Sequence, residues 1–361
     1  MRRVLLLLSL SIPPSICPAE TRGVEAADDG LSYDGFVFTG DVRYRYEAID
    51  TLGAEHDRQR VRARLGVAAD VSPSTQAVFR LSTGEGDPRS AHVTFSGGYS
   101  RKAVGVDLAY LDWHTPASLG AKLGKIPFPT WRPAQSFLTG GDFNPEGIAL
   151  SYSPSAGFFA TVFNFWLEDR STAADSRQQG LQLGWAHSAD RSNWTVALTL
   201  NDFTDVAGRR PFLDGESAYG NSVNLDGTLA SDFEIADIAV EWSAEFYVGE
   251  LTAFAHLARN SAAESGDDAY AAGLKVRPAQ LSRWSAGYEY AHIGRDAVFG
   301  QHFDGDFGGG VTGSRGHVLR VAFDSSERVG ARLSYFFNDV TPQQGEERGF
   351  RMLQLDIDCS F

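Results

Sequence analysis

Residues 353–361 read Leu-Gln-Leu-Asp-Ile-Asp-Cys-Ser-Phe, an alternation of apolar and polar side chains that stops on an aromatic residue. Successive side chains of a strand point to opposite faces. Leu353, Leu355, Ile357, Cys359 and Phe361 therefore share one face, and Gln354, Asp356, Asp358 and Ser360 the other. Such a strand needs an apolar medium on one side and water on the other. A soluble sandwich supplies both, and so does a sheet standing in a bilayer; the remainder of the chain has to decide between them.

At the other end Met1, Arg2 and Arg3 precede an apolar run from Val4 to Leu10, and Cys17-Pro18-Ala19 supplies small residues before Glu20. A basic start, a short apolar stretch and a small-residue exit mark a secretory leader, with cleavage expected after Ala19. The run is far shorter than the ~20 apolar residues of a spanning helix. Ile16 and Pro14 are a poor setting for lipid attachment at Cys17. If an exported chain of this kind spans a membrane, it does so as a closed barrel, because open sheet edges leave backbone groups unsatisfied in hydrocarbon. With Cys17 gone, Cys359 has no partner and no internal disulfide is expected. The net charge of -14 argues against nucleic acid, whose phosphates need a basic face.

Spacing carries the barrel reading further. Candidate strands fall at 36–47, 58–70, 75–83, 104–114, 121–126, 148–153, 157–166, 179–186, 194–203, 233–246, 251–259, 269–277, 284–293, 316–323, 329–338 and 348–361. Short turns alternate with long polar or glycine-rich loops at 49–57, 84–103, 127–145, 167–178, 204–232, 260–268, 294–315 and 339–347. An even strand count with short turns on one rim and long loops on the other is the pattern of a transmembrane barrel. The expected fold is all-β: a closed antiparallel transmembrane β-barrel of about 16 strands, with short periplasmic turns and long extracellular loops. The leader would occupy 1–19, a periplasmic segment 20–35 and the barrel 36–361. Phe36, Phe38, Trp194 and Trp284 fall near the short-turn rim, and Tyr44, Tyr46, Tyr288, Tyr290, Tyr335 and Phe337 toward the long loops. Aromatic girdles at the two interfaces are expected there.

If the aromatics face lipid, Arg43, Arg45, Arg60, Arg62, Arg64 and Arg80 point into the lumen from three adjacent strands. On the lipid face each would cost about 2–4 kcal/mol at midplane. The wall then either steers ions or pairs with inward acids such as Asp41, Glu47 and Asp107. Loop 127–145 contains Phe128, Trp131, Phe137 and Phe143, which free solvent does not reward. Folded inward, it would bring Asp142 and Glu146 against the arginines at a constriction where focused fields act on ions. The alternative is a loop lying over the rim or at a subunit contact.

The stretches Arg43-Tyr44-Arg45-Tyr46-Glu47, Asp57-Arg58-Gln59-Arg60-Val61-Arg62, Thr83-Gly84-Glu85-Gly86-Asp87-Pro88-Arg89, Asp107-Leu108-Ala109-Tyr110-Leu111-Asp112-Trp113 and Asp142-Phe143-Asn144-Pro145-Glu146-Gly147 resemble the putative-porin family of Gram-negative bacteria. The resemblance runs from Gly40 to Tyr152. It implies an outer-membrane porin for passive diffusion of ions and small hydrophilic solutes, surrounded by outer-membrane lipid and lipopolysaccharide. Analogy to sixteen-stranded porins adds a homotrimer and a constriction loop in third position. In outer-membrane barrels that end this way, the last strand closes the sheet and its terminal aromatic, here Phe361, is read by the barrel-insertion machinery.

No cofactor, metal or catalytic residue is expected. The eight histidines are scattered without metal-ligand spacing. Asp296, His302, Asp304 and Asp306 could supply an Asp/His pair for an outer-rim hydrolase and resemble a loose calcium loop, but the stretch is so rich in glycine that it reads as a flexible, solvent-exposed loop. An outer-membrane hydrolase, the main rival, would need Ser, His and a carboxylate clustered on the outer rim; an adhesive or structural barrel is a third possibility. Charge selectivity should follow the wall, giving a weakly anion-preferring or nearly unselective pore, because acids on outer loops are screened within about 8 Å.

Overall fold

The computed structural model describes residues 31–361 except 34, 52, 97, 134–135, 139, 213–216 and 344. The expected leader and residues 20–30 lie outside them. Sixteen strands make the wall: β1 (Phe36–Thr51), β2 (Ala54–Ser72), β3 (Thr75–Thr83), β4 (Val104–His114), β5 (Leu119–Lys125), β6 (Glu146–Tyr152), β7 (Gly157–Glu168) and β8 (Ser176–Ala189). They continue as β9 (Ser192–Thr204), β10 (Phe233–Phe246), β11 (Gly249–Asn260), β12 (Asp268–Pro278), β13 (Trp284–Ile293), β14 (Ser314–Asp324), β15 (Val329–Val340) and β16 (Arg348–Ser360). Two short additions, Leu31–Tyr33 and Val93–Thr94, pair with β1 and β2.

Each strand pairs antiparallel with its sequence neighbours, and β16 returns to β1 over a register from Phe350↔Thr51 to Ser360↔Asp41. The ring is closed, which removes the exposed edges that hydrocarbon forbids. Phe361 extends the seam: its N–H donates to the Gly40 carbonyl and its carbonyl accepts from Gly40 N–H, both at 2.9 Å. The Phe361 ring lies over Gly40, where any Cβ would collide with it.

Period-2 patterning sets the faces. On β16 Leu353, Leu355 and Ile357 are exposed outward, while Met352, Gln354 and Asp356 are buried inward. Phe36, Phe38, Trp194 and Trp284 face outward at the short-turn rim, and Tyr288 and Tyr335 do so nearer the loops. The interior is no empty bore. Loops 126–145 and 294–313 fold into it and build a core of Phe137, Leu138, Phe203, Phe233, Phe299, Phe303, Phe307, Phe336 and Met352.

Candidate functional site

All six predicted arginines line the lumen from β1, β2 and β3, because each occupies an inward position of its strand. Each has an acidic partner. Arg45 binds Asp356 through Nε at 2.6 Å and Nη2 at 3.0 Å, and reaches Asp306 at 3.0 Å. Arg62 donates to Asp41 at 2.6 Å, Arg80 to Asp107 at 2.7 Å and Arg64 to Asp142. Arg60 lies 3.6 Å from Glu47, which Arg58 also contacts, and Arg43 lies 3.8 Å from Asp358. Seven guanidiniums thus face seven carboxylates. Burying any one of these charges unpaired would be prohibitive, so the partners are what let the arginines stand in the wall.

Loop 126–145 is folded inward. Its base is closed by Ile126 N–H donating to the Pro145 carbonyl at 2.8 Å. Gln182 of β8 holds Trp131 from both sides, accepting from its N–H and donating to its carbonyl, each at 2.8 Å. Phe137 stacks on Phe307 with ring centres 5.3 Å apart, and the Arg320 guanidinium sits 4.6 Å from the centre of the Phe137 ring. Asp142 meets the wall: it contacts Arg64, accepts from Ala91 N–H at 3.2 Å and lies 3.7 Å from Arg62. Burial opposes its ionisation, but the Arg64 and Arg62 guanidiniums overcome that and hold its carboxyl below the usual range.

Glu146 does not join it. As the first residue of β6 it shares the outward face of Ile148 and Leu150, and it pairs with Lys125 at 3.2 Å. The expectation that Glu146 faces the arginines is therefore corrected by strand parity: the strand begins two residues earlier than its apolar run suggests.

A second correction concerns residues 294–313, which are packed rather than exposed. Ala297, Phe299, Phe303 and Phe307 are fully buried. Asn221 clamps the segment by donating to the Arg295 and Val298 carbonyls at 2.8 and 3.0 Å and accepting from Gly300 N–H at 2.7 Å. Arg89, stacked 3.3 Å over Tyr219, donates to the Gly310 carbonyl at 2.7 Å. The loop's Asp306 is the ligand of Arg45, and burial holds the His302 ring neutral, with its pKa pushed down to about 3, between Phe143 and Phe299. Gly140 N–H donates to the His302 carbonyl at 2.8 Å and so ties the two inward loops together. Asp306, Asp356, Asp358 and Arg89 are the members of this assembly whose partners the sequence did not indicate: Asp306 reads there as part of an exposed loop, and Asp356 and Asp358 only as water-facing positions of the last strand.

Ser136, His256 and Asp237 form a chain: Ser136 Oγ is 2.7 Å from His256 Nδ1, and His256 Nε2 is 3.2 Å from Asp237 Oδ1. The ring is turned end for end relative to a hydrolytic triad, in which Nε2 faces the serine. Its evident effect is to pin the loop to β10 and β11. Beside it a cavity of about 60 Å³ remains inside the barrel, lined by Trp131, Leu138, Phe299 and His302 from the loops and by inward residues of β8 to β11. No cluster of three or more metal-ligating side chains occurs among the described residues.

A family model described as a putative porin matches residues 38–235. No curated protein matches the chain. Among solved structures, OprB of Pseudomonas putida at high pH aligns with TM-score 0.65 at 13% identity, covering 91% of this chain and 94% of that one. OmpT of Vibrio cholerae, in a loop-deletion form, gives 0.54 at 14% identity, covering 91% and 100%. A triple mutant of Rhodopseudomonas blastica porin gives 0.52 at 12%, covering 90% and 100%. At these identities the likeness is one of fold.

Proposed function

Because the chain belongs to the putative porin family, and so is an outer-membrane channel for passive diffusion of ions and small hydrophilic solutes, we propose that its arginine wall works chiefly by anchoring the two inward loops that narrow the lumen. The observation that carries this reading is the balance of the wall. Every wall arginine meets a carboxylate, and two of those carboxylates, Asp142 and Asp306, belong to the loops. A balanced wall presents little net field to a passing ion, so the pore is nearly unselective. Recordings in planar bilayers under a salt gradient test this: stepwise conductance with a reversal potential close to zero is expected, and a strongly displaced potential would overturn it.

The protein acts without catalysis in this reading. The turned His256 ring and the role of Ser136 in anchoring the loop weigh against the hydrolase alternative. Export depends on the leader at 1–19, and insertion on recognition of Phe361, whose closing contact with Gly40 supports a part in sealing the barrel. The assembled form is a homotrimer by analogy to other sixteen-stranded porins, embedded among lipopolysaccharide. Crosslinking in native membranes should give trimers, and monomer alone would remove that part.

A further inference from the structure

The balanced wall leaves open where solute passes. We infer that it crosses on the β8 to β11 side of the lumen, between the inward loops and a polar strip made by Gln178, Thr199, Asn201, Asp237 and His256, and that this strip sets specificity. The inference rests on the channel reading and locates its route.

Three observations on the lumen support it. On the side of β1 to β3 the loops touch the wall directly, Asp142 on Arg64 and Asp306 on Arg45, and the Arg45, Arg62 and Arg64 side chains are only 8–13% exposed. On the side of β13 to β16 the space is filled by Phe137, Phe303, Phe307, Phe336 and Met352, and the same apolar core continues through Phe299 onto Phe203 and Phe233 of β9 and β10. The cavity of about 60 Å³ lies against β8 to β11, and its strand wall carries the polar Gln178, Thr199, Asn201, Asp237 and His256 beside the apolar Phe203, Ile235 and Ala258. Gln178 donates to Asn201 at 3.0 Å, and Asp237 is held by His256.

The chemistry of the strip defines what it favours. Two amides, a hydroxyl and a carboxylate offer donors and acceptors without a dominant charge, since Asp237 is met by His256 and Arg132 also lines the cavity. Trp131, Phe299 and Leu138 face them with apolar surface. A space of this size holds a few waters, so only a solute of similarly small cross-section passes without loop movement. The class selected is small, neutral and hydrogen-bonding, and a solute as large as a disaccharide is excluded unless the loops move. The apolar loop 294–313 is then a second constriction element.

The test uses the full-length mature protein reconstituted in bilayers and liposomes. Asn201→Trp and Thr199→Trp should each remove most of the single-channel current and of glycerol-driven liposome swelling, whereas Leu200→Trp, which points outward from the same strand, should keep both. Should a tryptophan variant fail to fold, Asn201→Cys in a Cys359→Ser background serves instead: a small thiol reagent added to open channels should block the current, and glycerol should slow the labelling. Folded tryptophan variants that conduct like the parent, or complete labelling of the Asn201→Cys thiol without effect on current, would overturn the route while leaving the channel itself intact. A parent protein that does not conduct would instead overturn the channel reading, and the route with it.

Discussion

Replacing Asp142 by Asn should free the returning limb of the first inward loop from the wall. The residue contributes a charge-assisted contact to Arg64, a longer-range attraction to Arg62 at 3.7 Å and an acceptor for Ala91 N–H at 3.2 Å. The Arg64 and Asp142 side chains are 13% and 20% exposed, between the surface regime, worth up to about 1 kcal/mol, and the buried regime, where losing one partner costs about 3–5 kcal/mol. A loss of about 2–3 kcal/mol follows. At 1.4 kcal/mol for each factor of ten, the detached limb becomes about 30–140 times more populated. The rest of the loop stays down through Gln182 and the phenylalanine core, so the change is local. Hydrogen exchange at Ala91 should quicken by a comparable factor, and open-channel noise should rise. In a double-mutant cycle, Arg64→Gln combined with Asp142→Asn should cost clearly less than the two singles added. The same anchor sets a pH expectation. A carboxyl held below its usual range stabilises the docked loop above its unfolded pKa and loses that contribution only as pH falls through the lowered value, so docking should be unchanged between neutral pH and pH about 4. Additive single mutants with unaltered Ala91 exchange would refute the argument.

Changing Arg60, Arg62 and Arg64 together to Gln leaves the facing carboxylates short of counter-charge, so the reversal potential in a salt gradient should move toward cations; an unchanged value would place the wall beyond electrostatic reach of the path. Deleting Phe361, or the substitution Gly40→Leu, whose side chain would strike the Phe361 ring, should slow appearance of the heat-modifiable folded form in pulse-chase experiments, and normal rates for both would refute a role in closing the seam. Burial and the neighbouring Asp306 carboxylate raise the Asp304 carboxyl to about 6, which means that the docked loop prefers it protonated. Docking of 294–313 should therefore weaken as pH climbs from near 4 through 6. Asp304→Asn should abolish that dependence in exchange protection factors, and an equal dependence in the variant would assign it elsewhere.

How legible this assembly was in the sequence depended on whether a residue's position followed from parity or from partnership. Lipid on one side and water on the other impose a period of two that a slip of one residue would invert, so the strands, the inward arginines and the outward aromatics could all be read directly. Asp142 was legible for a different reason: a loop bearing Trp131, Phe137 and Phe143 needs a surface to cover. Glu146 failed on parity, because the apolar run at Ile148 hid that the strand already starts at Glu146. The loop at 294–313 failed on glycine. Gly308, Gly309, Gly310 and Gly313 have positive φ and turn the chain sharply just after the buried Phe307, whereas composition alone reads the same glycines as slack. The carboxylate partners were the hardest to see. Arg45 and Asp356 lie 311 positions apart, and only the closing register of β16 on β1 brings them face to face. Alternation could place both residues on the water side of the barrel, but their pairing appears only once the ring is shut. Closure of the barrel and neutrality of its wall are therefore linked: the seam that removes the last free edge also delivers Asp356 and Asp358 to the arginines of the first strand.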